Sequence, residues 1–113
     1  MPVWKTIPVS EIPELRLSAW QVVELPDGDR HLVGWNETER EGRVSSRIAV
    51  FDACTRRATT QTGRVYELIG RPGHDADAQY TWNVWKRRNR VTEFKDVTEE
   101  VWRALQDAAR IDP

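Results

Sequence analysis

Gly42-Arg43-Val44-Ser45-Ser46-Arg47-Ile48-Ala49-Val50-Phe51-Asp52-Ala53-Cys54-Thr55-Arg56-Arg57-Ala58-Thr59-Thr60-Gln61-Thr62-Gly63-Arg64-Val65-Tyr66-Glu67-Leu68-Ile69-Gly70 is the stretch that decides the fold class. Val44, Ser46, Ile48 and Val50 alternate with Ser45, Arg47, Ala49 and Phe51, a period of two that puts one set on each face of a strand. Asp52-Ala53-Cys54-Thr55 turns the chain, because Asp and Thr side chains bond their own nearby backbone. Arg56 to Gln61 returns as a threonine-rich strand, too polar to be covered on both faces. Thr62-Gly63 makes a second turn, and Arg64 to Ile69 follows as another strand before Gly70-Arg71-Pro72-Gly73 stops it. The expected core face is Val44, Ile48 and Val50, with Leu68 and Trp102 packed nearby.

Working outward, Leu17 to Leu25 and His31 to Trp35 read as a hairpin about the turn signal Pro26-Asp27-Gly28-Asp29. Asn36 to Gly42 is a solvated acidic loop. Prolines 2, 8 and 13 keep the first residues extended, so residues 1–16 read as an arm carrying Trp4, Ile7 and Val9 onto the body. On the other side, Asp75 and Asp77 open a helix that closes on Lys86, Arg87 and Arg88, the order that the helix dipole favours. Ala78, Trp82 and Trp85 share one of its faces, and Ala76, Tyr80 and Val84 a second apolar arc. Val91 to Lys95 reads as a last short strand. Thr98 then caps a second helix, with Val97 and Trp102 as a hydrophobic staple and Val101, Trp102, Leu105, Ala108 and Ala109 as its buried stripe. The expectation is one α+β domain over residues 1–113: an antiparallel β-meander of about five strands with two helices packed on one face.

The 113 residues suffice for one core, and the 39% hydrophobic and 31% charged content suits a soluble surface. No apolar run approaches the ~20 residues of a membrane-spanning helix, and the N-terminus lacks the basic-then-apolar order of a secretion signal. A single cysteine, Cys54, excludes an internal disulfide and fits a reducing cytoplasm. The Asn36-Glu37-Thr38 sequon is then incidental. The net charge of −1 conceals a segregation. Residues 1–42 carry 4 basic and 8 acidic side chains, residues 43–95 carry 11 and 5, and residues 96–113 carry 2 and 5. A basic middle between acidic ends attracts a polyanion or neutralises itself on folding.

Gly42 to Ser46, Phe51-Asp52, Thr55 to Thr60, Thr62 to Gly70 and Asp75 to Ala78 with Trp82 and Trp85 resemble a family of small proteins encoded on proteobacterial plasmids, integrative elements and prophages. The resemblance covers roughly residues 30–100. It implies a bacterial, cytoplasmic protein with an accessory role in mobile-element biology, and it brings no catalytic residue.

The chain's own residues name no chemistry either. Acid–base and nucleophilic catalysis need a titratable group beside its reacting partner; only His31, His74 and Cys54 offer themselves, at unrelated positions. One cysteine and two separated histidines are no metal-ligand set, so no metal and no cofactor is expected. Gly70-Arg71-Pro72-Gly73 lacks the Gly-Lys-Ser/Thr end of a phosphate loop, and the two aspartates after it would repel a phosphate. Six tryptophans (4, 20, 35, 82, 85 and 102) exceed what one small core needs and leave one or two for a partner. The best binding candidates are Arg56, Arg64, Arg87 and Arg88, with Lys86 and Arg90 beside the last two; converging, they suit phosphates or carboxylates. The competing explanation is a solvated face plus complementarity to the helix dipole. The expectation is therefore a non-enzymatic binding protein that recognises a protein partner or itself, with no membrane and no small-molecule cofactor. The alternative is a nucleic-acid-associated accessory protein using the central arginines, and net charge argues against it.

Overall fold

The computed structural model describes residues 14–111, so the expected packing of Trp4, Ile7 and Val9 lies outside the described residues. The order of elements is β1 (Glu14–Glu24), β2 (Arg30–Asn36), β3 (Glu41–Val44), β4 (Ile48–Asp52), β5 (Arg57–Thr60), β6 (Val65–Leu68), α1 (Ala76–Arg88), β7 (Lys95–Asp96) and α2 (Thr98–Ile111). The class is α+β, but the sheet is mixed and has more strands than expected. Its order is β3-β2-β1-β6-β5-β4, with the two-residue β7 also paired to β1. Two antiparallel three-strand runs meet at a parallel seam, where Glu14–Leu17 of β1 pairs with Val65–Leu68 of β6. Residues 14–16, expected in the arm, are the start of that seam.

The antiparallel meander fails at Ser45-Ser46-Arg47. Alternation over 44–51 suggested one strand, yet the Ser45 hydroxyl accepts from the Leu32 amide at 2.9 Å and donates to the Ser46 carbonyl at 2.6 Å, which bends the chain out of its ladder. Strands β3 and β4 therefore lie at opposite ends of the sheet order, joined by three residues. Five strand spacings laid flat would separate them by ~24 Å. Four residue steps reach only ~14 Å. The sheet must roll, and β2 indeed approaches β4.

Rolling gives the sheet a concave and a convex face, and each takes one helix. Leu15, Leu17, Trp20, Val22, Leu32, Ala58, Tyr66 and Leu68 form the inner core with Val97, Val101 and Leu105. Val23, Val33 and Val44 form the outer core with Ala78 and Trp82. The helices thus lie on opposite faces, contrary to the expected single layer. A bulge makes the inner face continuous: Ala19 adopts φ 45 and the register to β2 slips between Ser18 and Gln21, so odd residues 15 and 17 share a side with even residues 20 and 22.

The expected core face divides in the same way. Val44 lies under α1, Ile48 packs on the rim of the inner core, and Val50 is 63% exposed beyond an irregularity in β4. Leu68 is buried, whereas Trp102 is half-buried, its ring edge-on to Trp20 at 6.3 Å. Thr98 does not cap its own helix through its side chain. Its hydroxyl accepts from the Val22 amide at 3.0 Å, while the Val97 carbonyl takes the Val101 amide. Arg30 completes the attachment of α2, with bonds of 2.8 Å to Glu100 and to Glu24. The Glu100 bond first, then the Glu24 bond, raise this guanidinium above its ordinary pKa.

On the convex face Asp75 caps α1, its carboxylate accepting from the Ala78 amide at 2.9 Å. The first turn of α1 lies directly on β3. A Cβ at Gly42 would overlap the Asp77 carbonyl and come within 2.7 Å of the Ala78 nitrogen. Only a residue without a side chain lets helix and strand approach so closely.

Candidate functional site

From Ala78 to Thr92 the chain contains no acidic residue and four cations, Lys86, Arg87, Arg88 and Arg90. The end of α1 folds around them by bonding its last carbonyls to the following amides. Arg90 N–H donates to Arg87 at 3.3 Å and Val91 N–H to Lys86 at 2.9 Å, with Arg90 itself left-handed at φ 55. That helix stop ordinarily holds glycine, and a side chain there costs roughly 1 kcal/mol.

Aromatic rings back this basic end. Phe94 meets Trp82 edge-on at 5.2 Å, Trp82 stacks on Trp85 at 5.5 Å, and Trp85 tilts onto His31 at 4.8 Å. The Lys86 ammonium stands 5.1 Å from the Phe94 centroid and 5.4 Å from that of Trp82, held by the negative ring faces. Tyr80, Asn83 and Arg87 follow at i, i+3 and i+7 along one exposed edge of the helix. Asn83, Lys86, Arg87, Arg90 and Phe94 line an open depression of ≈ 650 Å³. Tyr80 is 60% and Phe94 40% exposed, and with Val50 they are the exposed large hydrophobic residues among those described. Ion pairs engage Arg16, Arg30, Arg43 and Arg57, and no carboxylate of the described residues pairs with Lys86, Arg87 or Arg90.

The arginines chosen from sequence do not share one surface. Arg87 and Arg88 are exposed neighbours at the end of α1. Arg56 is spent on the fold: left-handed at φ 61, it donates through Nε to the Leu68 carbonyl at 2.8 Å, bonds the Gly70 carbonyl, and lies 5.9 Å over the Trp102 ring. Arg64 is buried, 5% exposed, at the opposite end of β6. Arg43 also points inward, its Nε bonding the Tyr66 hydroxyl at 3.2 Å and its Nη1 facing Glu41 and Glu39. Hairpin arginines that alternation placed on an open face are thus drawn to backbone carbonyls or into the rolled interior.

Sequence reasoning put Tyr80 with Ala76 and Val84 in a second apolar arc, covered like the first, and Phe94 in a strand; Ala76 and Tyr80 are exposed and Val84 is half-buried. The i, i+3, i+7 run of Tyr80, Asn83 and Arg87 was the signal for an exposed edge. Phe94 carried no such signal, since only Lys95 and Asp96 pair as strand. Of the tryptophans described, Trp20 and Trp82 are buried, and Trp35, Trp85 and Trp102 are half-buried.

The other reactive side chains stand apart. Cys54 is exposed in the β4–β5 turn, where its amide bonds Asp52, and the His74 ring meets Gln21 at 3.3 Å. Among the described residues no three His, Cys, Asp or Glu side chains gather as a metal site, and no helix is long and apolar enough to cross a membrane. No family model, curated protein or solved structure matches this chain.

Proposed function

We propose that this chain is a non-enzymatic binding protein that engages an acidic protein partner through the end of α1 and the loop to Phe94. The observation that carries the reading is the pairing of two exposed aromatic side chains, Tyr80 and Phe94, with three cations, Lys86, Arg87 and Arg90, that no carboxylate among the described residues neutralises. Tyrosine and arginine are the side chains that dominate binding energy at protein interfaces. Complementarity to the helix dipole accounts for Lys86 and Arg87. It does not account for Arg90, beyond the helix and in a strained conformation, or for an aromatic ring left in water. The resemblance to small mobile-element proteins supports an accessory or regulatory role in a host or element-encoded complex.

The same cations serve the second reading, a nucleic-acid-associated protein, which aromatic side chains beside basic ones also favour. One experiment separates the two. Tagged wild-type protein and the K86E/R87E/R90E variant are used to recover partners from a bacterial lysate, with and without nuclease. A protein retained by wild type after nuclease treatment and lost by the variant supports the first reading. Material that nuclease abolishes, with affinity falling linearly in log salt, supports the second. Identical recovery by both proteins rejects this surface.

A further inference from the structure

Phe94 lines two depressions, and the basic one at the end of α1 is the first of them. The second, of ≈ 230 Å³, is walled by Glu24, Leu25, Pro26, Glu93, Phe94 and Lys95. Its walls come from two segments that the fold holds in place. The β1–β2 turn is closed by the Leu25 amide on the Asp29 carbonyl and by the Gly28 amide on the Leu25 carbonyl, both at 2.8 Å. On the other side Lys95 pairs with Glu24 and Asp96 with Val23, so β7 fixes the end of the loop that carries Phe94. The Phe94 ring is steadied by its edge-on contact with Trp82 at 5.2 Å. The hollow is therefore built before any ligand arrives.

The two depressions differ in chemistry. Lys86, Arg87 and Arg90 line the first, and no carboxylate does. In the second, the Glu24 carboxylate is taken by Arg30 at 2.8 Å, and Glu93 and Lys95 are of opposite sign. Neither sign of ligand charge is favoured there. What remains is three apolar side chains, Leu25, Pro26 and Phe94, from two different segments. An aliphatic group that leaves water for such walls gains free energy, whereas a polar group without a partner loses it.

We propose that the acidic segment of the protein partner seats one aliphatic side chain in this second hollow. The inference rests on the proposed function and deepens it. Carboxylates of the partner meet Lys86, Arg87 and Arg90, and a leucine, isoleucine or methionine beside them enters between Leu25, Pro26 and Phe94. Because Phe94 belongs to both hollows, anchor and carboxylates are neighbours on the partner. The cations speed encounter, and the anchor decides which acidic segment stays, since charge alone accepts any polyanion. A nucleic-acid backbone carries no aliphatic side chain and gains nothing from the second hollow.

Two fluorescein-labelled oligoglutamate peptides, one with a leucine at its centre and one with an alanine there, test the anchor by anisotropy at low salt. Wild type should bind the leucine peptide about tenfold more tightly, as expected when roughly two CH₂ groups are buried. On the ¹⁵N-labelled protein both peptides should shift the amides of Asn83, Arg87 and Arg90, and the leucine peptide alone those of Leu25 and Lys95. Pro26→Asn replaces part of the apolar wall with a neutral side chain that suits a turn. It should cut the preference for leucine to about threefold or less and leave the affinity for the alanine peptide unchanged. K86E/R87E/R90E should lose both peptides. Equal affinities in wild type, with both peptides lost in K86E/R87E/R90E, would overturn the anchor and leave the basic surface standing. A preference for leucine that Pro26→Asn keeps in full, with Leu25 and Lys95 unshifted, would also overturn it. Peptides that wild type does not bind, or that K86E/R87E/R90E binds equally well, would overturn the proposed function and this inference together.

Discussion

The two helices cover the two faces of one sheet and are built for different work. On the concave side, α2 sends Val101 and Leu105 into a core of aliphatic side chains and Trp20, and Arg30 clamps its first turn. On the convex side, α1 buries only Ala78, Thr81 and Trp82, and keeps Tyr80, Asn83, Arg87 and Arg88 in water. Depressions flank its end on both sides. A face sealed by branched side chains supplies stability, since buried apolar area is the main favourable term. A face sealed by a few rings and rimmed with uncommitted polar groups has less to lose and more to offer a ligand. Under the proposed function, stability and recognition are divided between faces rather than mixed at one site.

Breaking the concave side should have the largest effect. Trp20 is fully buried, its indole N–H 3.3 Å from the Gly70 carbonyl, and Trp20→Ala should cost about 3–5 kcal/mol in a urea melt. A loss below 1 kcal/mol would mean that the inner core does not depend on it. Next comes the contact of α1 with β3. Gly42→Ala forces a methyl group into the first turn of the helix and should cost about 1–3 kcal/mol. Amide shifts should spread through α1 and β3 and leave α2 in place; changes in α2 of equal size would show that the two faces are not separable.

Sharpening the comparison takes smaller perturbations. K86E/R87E/R90E alters no buried side chain, so its melt should fall only by about 1–2 kcal/mol, the sum of the lost dipole complementarity and of the Lys86 contacts with Trp82 and Phe94. Association with an acidic partner should slow by about tenfold or more at low salt, and the gap should close as salt screens the charges. Arg90→Gly should give the smallest effect, and with opposite signs. Glycine relieves the left-handed strain and should raise stability by about 0.5–1 kcal/mol while weakening the partner. A gain in stability with unchanged binding would leave Arg90 as a helix-end residue and nothing more.

Much of the local structure could be read before any coordinates. The turns at Asp27-Gly28 and Gly63, where both glycines have positive φ, and the capping Asp75 are short-range signals that lie where expected. The helix from Thr98 forms as read, although of its expected stripe only Val101 and Leu105 are buried, Trp102 and Ala108 are half-buried and Ala109 is exposed. The division into two faces left a trace too. Val22-Val23 and Leu32-Val33 are adjacent apolar pairs, and neighbours on a strand point to opposite sides. The Tyr80 edge was equally present in the helical spacing. The break at Ser45 was not, because serine fits an alternating strand as well as a bend, and its hydroxyl chooses the bend only once Leu32 is beside it.

By themselves, the residues determined which segments extend, which coil and where each stops, because turns, caps and side-chain periodicity act over a few bonds. They also determined that a run of cations would end α1. Tertiary structure alone decided that β1 pairs in parallel with β6, that the sheet rolls until β3 and β4 can be joined by three residues, and that each face takes its own helix. It likewise decided which arginines remain available. Arg56 found backbone carbonyls, Arg43 and Arg64 were folded inward, and Arg87 and Arg90, with Lys86 over two aromatic rings, were left without a carboxylate among the described residues. A charge is committed or free according to what other segments bring within a few ångströms, and alternation along a strand carries no record of that.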